Sequence, residues 1–112
     1  MTIRNISVGA SVTTTSADLY TTPSNFVADV ETLHVCNKSG SAKTVTVQWF
    51  DVSAGLTHSL LNTTNIPSYD YIQLDNPLFL DAGDKIKVVS TTSGDIDVTA
   101  RIKEIFTPIR TS

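Results

Sequence analysis

Cysteine is almost absent from this 112-residue sequence: Cys36 stands alone. No intrachain disulfide can form, so the fold must rest on its own core, and a secreted disulfide scaffold is excluded. Clustered positive charge is missing too. The basic residues are Arg4, Lys38, Lys43, Lys85, Lys87, Arg101, Lys103 and Arg110, spread along a chain of formal net charge -3. A phosphate-tracking face needs Lys and Arg together, so nucleic acid is not an expected partner, and the same scatter argues against a polybasic membrane patch. Long apolar runs are lacking, which removes a membrane span from the expectations. The opening "MTIRNISVGASVTTT" lacks the charged-then-apolar layout of a secretory leader, so synthesis in a cytoplasm is expected. The sequon matches at Asn5 and Asn62 are then read as chance.

Helix formers are scarce as well, with two Glu and one Met. What fills the sequence is Thr (17), Ser (12), Val (11) and Ile (9), residues that suit pleated, half-buried surfaces. The length fits one domain. No window holds a helical period, whereas strand alternation recurs between turn formers. "TIRNISV" reads as a weak strand or an extended arm, and "DLYTTPSNF" ends a short strand at Pro23. "VETLHVCN" sets Leu33 and Val35 on one face, with Thr32, His34 and Cys36 on the other. "TVTVQWFDV" sets Val45, Val47 and Trp49 inward, away from Phe50. "LTHSLL" reads as a short strand followed by a polar loop, "NTTNIPS". "YDYIQLDNPLFL" runs to Asp81.

The last segment, "PLFLDAGDKIKVVSTTSGDIDVTARI", reads as a hairpin. Its inward set Ile86 and Val88 is expected opposite Ile96, Val98 and Ala100, because slipping by one residue would turn a whole face to water. Lys87 would then face Asp97 or Thr99. The expected architecture is a single antiparallel β-sandwich of about eight strands, jelly-roll or immunoglobulin-like. Residues 17–106 form the sandwich, residues 1–16 an N-terminal arm or edge strand, and residues 107–112 a C-terminal tail.

Residues arranged for chemistry are few. His34 and Cys36 share a strand face, but no nucleophile elbow or oxyanion loop accompanies them. They are read as packing residues, and the chain as a non-enzyme. Asp81 and Asp84 bracket Ala82-Gly83; a calcium loop needs more oxygen ligands at fixed offsets, so "DAGD" is read as a turn with Gly83 at positive φ. Gly94 has the same part in "TTSGD". No metal or cofactor is expected. Trp49, Phe50, Tyr69 and Tyr71 could form a sugar-binding platform only if they shared a face. Sheet edges carrying few charges, sought in "TVTVQWF" and "YIQL", hint at assembly.

Two segments carry a resemblance: "LYTTPSNFVADVETLHVCNKSGSAKTVTVQWFD" (Leu19 to Asp51) and "LDNPLFLDAGDKIKVVSTTSGDIDVTARI" (Leu74 to Ile102). Their order of motifs resembles small β-sandwich virion proteins of tailed bacteriophages, which decorate capsids or sit on tails and collars. The resemblance implies a capsid decoration or cement protein that binds and stabilises the outer lattice. The implied partners are the major capsid protein and the chain itself, as a dimer or trimer, and the implied location is the virion, after synthesis in the host bacterial cytoplasm. Candidate interface residues are Thr2, Ile3, Arg4, Ile6 and Val8 in the arm and Phe106, Ile109 and Arg110 near the C-terminus. A tail, collar or fibre-associated component and a carbohydrate-binding module are the alternatives.

Overall fold

The computed structural model describes residues 2–107. Eight strands among the described residues are divided between two sheets: β1 (Ile3–Ser11), β2 (Ala17–Thr21), β3 (Phe26–Asn37), β4 (Lys43–Asp51), β5 (Leu56–Ile66), β6 (Tyr71–Leu80), β7 (Lys85–Ser90) and β8 (Ile96–Phe106). One sheet has the order β1-β8-β3-β6 and the other β2-β7-β4-β5, every pairing antiparallel. First pairs with last, second with seventh, third with sixth and fourth with fifth, as though one long hairpin had been rolled up around its β4–β5 tip. That order makes the sandwich a jelly roll and not an immunoglobulin fold.

The inward row of each strand supplies one core. Val30, Leu33, Val35, Ile96, Val98 and Ile102 from the first sheet meet Val45, Val47, Ile66, Ile86 and Val88 from the second, all buried. Their β-branched side chains pack well on a pleat, and the stability of the domain comes from this layer. Trp49 also faces inward, at the rim of the core, where its indole stacks on His58 with centroids 5.1 Å apart.

Three expectations change. The segment from Lys85 to Ile102 is not a hairpin, since β7 and β8 lie in different sheets and the "TTSGD" turn carries the chain across the sandwich. Gly94 adopts φ +84° there, and its N–H donates to the Val12 carbonyl at 3.0 Å. Lys87 accordingly lies beside Asp18 of β2, 2.8 Å away, and Asp97 is paired with Lys38 at 3.3 Å. Alternation gives the same inward parity for a hairpin and for an arch between sheets, so parity survives while pairing does not. Next, the loop expected after "LTHSLL" is strand: β5 continues to Ile66. It absorbs extra residues where its register against β4 shifts twice, with Thr63 at φ +46°. Finally, β4 lies between β7 and β5, so "TVTVQWF" is no edge.

Buried polar groups close the ends. The Asn37 Nδ2 donates to the carbonyls of Ser41, Ile66 and Pro67 at 2.8, 3.0 and 3.2 Å, and its Oδ1 accepts from the Ser39 N–H at 2.9 Å. One fully buried amide thus joins the β3–β4 and β5–β6 turns.

Candidate functional site

The N-terminal segment is part of the sandwich. β1 pairs with β8 over nine consecutive residues without a register shift, and Val12 beyond it is fully buried. Removing residues 1–15 would therefore take out an outer strand and a core residue together. Of the arm and the edge strand read for this segment, the fold has the edge strand.

The candidate interface residues do not come to one face. Ile3 is exposed on the outer face of the first sheet, and the Thr2 carbonyl accepts from the Phe106 N–H at 2.9 Å. Ile6 and Val8 point inward and pack half-buried on the core. Phe106 packs tilted on Phe26, centroids 5.2 Å apart. Ile109 and Arg110 lie outside the described residues.

Arg4 also turns inward, toward an acid that sequence reading passed over. Its Nε donates to the Glu104 carboxylate at 3.0 Å and its Nη2 lies 2.7 Å from the same oxygen. The guanidinium covers the Phe26 ring at 4.3 Å. The second Glu104 oxygen accepts the Tyr20 hydroxyl across the sandwich. Burial pushes the Tyr20 phenol well above its ordinary range, and the Glu104 hydrogen bond and charge add to the push. The available signal was parity, because Glu104 continues the inward row Ile96, Val98, Ala100, Ile102. The group is a structural tie between sheets: both Glu104 oxygens and the Tyr20 hydroxyl already have partners within it.

Asp84 has a similar part in the "DAGD" turn. Its carboxylate accepts from the N–H of Val52 and Asp81, each at 3.1 Å, and from the Trp49 indole N–H at 3.2 Å. Gly83 takes φ +86°, as the turn reading requires.

The outer face of the first sheet is polar and shallow. Ser7, Thr32, His34, Gln73, Thr99 and Arg101 line a dish across its middle. The His34 ring stacks on Tyr71, centroids 4.9 Å apart. Tyr69 and Tyr71 are exposed, whereas Trp49 faces the core and Phe50 lies on the other sheet. The four aromatics therefore form no common platform. Among the described residues no three potential metal-ligating side chains gather, and no described helix is long and apolar enough to cross a membrane.

No family model matches the chain, and no curated protein matches it. Solved structures do. A structure of Bacillus endospore appendages, described as a novel family of disulfide-linked pili, aligns with TM-score 0.59 at 9% identity, over 95% of this chain and 88% of that one. The structure of infectious bursal disease virus, Gx strain, aligns with TM-score 0.55 at 7% identity, over 97% of this chain and 33% of that one. A pentameric capsid protein isolated from metagenomic phage sequences aligns at 18% identity with TM-score 0.44. At such identities the likeness is one of fold, an all-β sandwich.

Proposed function

We propose that this chain is a structural component of a virion, a decoration or cement protein that attaches to the outer capsid lattice through the major capsid protein and through copies of itself. The observation that carries the reading is the jelly-roll strand order. It spans nearly the whole described chain, and a virus structure aligns over 97% of this chain with TM-score 0.55, on 33% of its own chain. The polar residues inside the sandwich support it, because Asn37, Asp84 and Glu104 are spent on holding turns and strands. The product of such a sequence is a rigid shape. Many copies on one lattice raise total avidity even where each contact is modest.

The likeness to the Bacillus appendages favours a second reading, a filament subunit. A filament linked end to end by disulfides needs two cysteines in each subunit, and this sequence has one. The virion reading is therefore preferred over a covalent pilus. Heating particles with and without the purified chain tests it. Retention of the genome to a higher temperature when the chain is bound is the expected result for a cement. Binding without a thermal shift leaves a decoration, and failure to bind capsids at all contradicts the proposal and returns the tail, fibre and glycan-binding readings.

A further inference from the structure

The four sheet edges are not alike. β2 has five residues and a register shift at Leu19, and its Asp18 binds two lysines. β5 carries two register shifts. β6 carries Pro77, Asp75, a register shift and Asn76 at φ +48°. Bulges, prolines, charges and shortness are the devices that stop a sheet edge from accepting another strand. β1 has nine residues in unbroken register, no proline and no bulge.

The register also fixes which groups β1 leaves open. The Phe106 N–H donates to the Thr2 carbonyl and the Val12 N–H to the Ile96 carbonyl. Those are the hydrogen-bonded pairs of an antiparallel ladder, so the even-numbered residues of β1 bond to β8. The N–H and C=O groups of Ile3, Asn5, Ser7, Gly9 and Ser11 point away from the sheet. None of these five side chains is charged, and all five residues are exposed.

We propose that β1 is a docking edge for β1 of a second copy of this chain, paired antiparallel about a two-fold axis through Ser7. The pattern along the edge suits a second copy as the occupant. With Ser7 opposite Ser7 of the second copy, Asn5 meets Gly9 and Ile3 meets Ser11, so no charge faces a like charge. On the inner face the same register sets Ile6 opposite Val8 of the second copy, and Val8 opposite its Ile6. Both are half-buried in the single chain; pairing covers each with the other and joins two cores across one eight-stranded sheet. A shift of one residue would place outward side chains opposite inward ones and lose this match. The edge stands on geometry and goes beyond the virion reading, which it neither needs nor decides.

The purified full chain tests it by its mass in solution, by light scattering, and by amide exchange. A species of twice 12.1 kDa is expected, with the amides of Asn5, Ser7 and Gly9 protected as well as those of Ile6 and Val8. Ser7→Lys puts like charges opposite each other at the axis and should give a monomer with an unchanged circular dichroism spectrum. In a Cys36→Ser background, Ser7→Cys should form an intermolecular disulfide on oxidation, because residues opposite in an antiparallel ladder lie ~5.5 Å apart between Cα atoms. Asn5→Cys, facing Gly9, should not. A wild-type chain that stays monomeric, with rapid exchange confined to the odd-numbered amides, overturns the proposal. So does a dimer that survives Ser7→Lys, or a larger open assembly. Loss of capsid binding with the dimer intact counts against the virion reading alone.

Discussion

Two carboxylates lie inside this sandwich at nearly equal burial, Glu104 and Asp84, and they are held in different ways. Glu104 is bound by side chains distant in sequence, Arg4 and Tyr20, so its tie runs between strands β1, β8 and β2. Asp84 is bound by the N–H groups of Asp81 and Val52 and by the Trp49 indole, so its tie closes two turns. The first carboxylate faces a formal cation; the second faces only N–H dipoles. A charge can be kept in an apolar layer by either means, but the consequences of removing it differ. Loss of Glu104 takes from the buried Tyr20 hydroxyl its carboxylate acceptor, while Arg4, half exposed, can turn to water. Loss of Asp84 frees turn donors at the rim.

Substitutions can break the comparison in order of size. Glu104→Ala should cost the most, about 3 kcal/mol, because it removes one partner from a buried ionic tie. Urea unfolding followed by fluorescence and circular dichroism would measure it, and a cost below that of Asp84→Ala would reverse the ranking argued here. Asp84→Ala should cost about 2 kcal/mol through its orphaned donors, and the Trp49 emission should shift, since its indole N–H loses its acceptor. Tyr20→Phe should cost about 1.5 kcal/mol at neutral pH, the lower end for a hydrogen bond to a charged acceptor, and should also change a pH profile.

The sign of that profile follows from the raised Tyr20 value. An unfolded phenol titrates near 10, so above that pH the folded chain holds a proton that the unfolded chain releases. Stability from this group is complete below pH 10 and falls as pH rises beyond it. Tyr20→Phe should flatten that alkaline limb relative to wild type. The smallest effect is expected at Asp18, where the Lys87 and Lys85 ammonium groups hold the carboxyl below its ordinary 3.8 against the opposing effect of burial. Its contribution is present above about pH 4 and is lost as pH falls through the lowered folded value. It should be slight, because the pair is open to solvent. Asp18→Asn should leave the neutral-pH midpoint nearly unchanged.

The two carboxylates were unequally legible in the sequence. Asp84 sits in "DAGD", where Gly83 and the flanking acids announce a turn by local chemistry alone. Glu104 is announced only by parity, and its partners lie 100 and 84 residues away. The inward faces were legible for the same local reason: Leu33, Val35, Val45, Val47, Ile86, Val88 and Ile96 all lie where alternation put them. The pairing of β7 with β2 and β4, and of β8 with β1 and β3, was not, because a crossing between sheets keeps the alternation of a hairpin. The assembly surface was the least legible. Residues 1–16 read from the sequence as an arm or an edge strand, and which amides β1 leaves open is set by its pairing with β8, a property of register.

The central claim is that this jelly roll is a repeated structural component of a virion. Quantitative mass spectrometry of purified particles, giving the ratio of this chain to the major capsid protein, tests it most directly. A ratio near one, or a simple fraction of it, is the predicted result; absence of the chain from the particle would contradict the account.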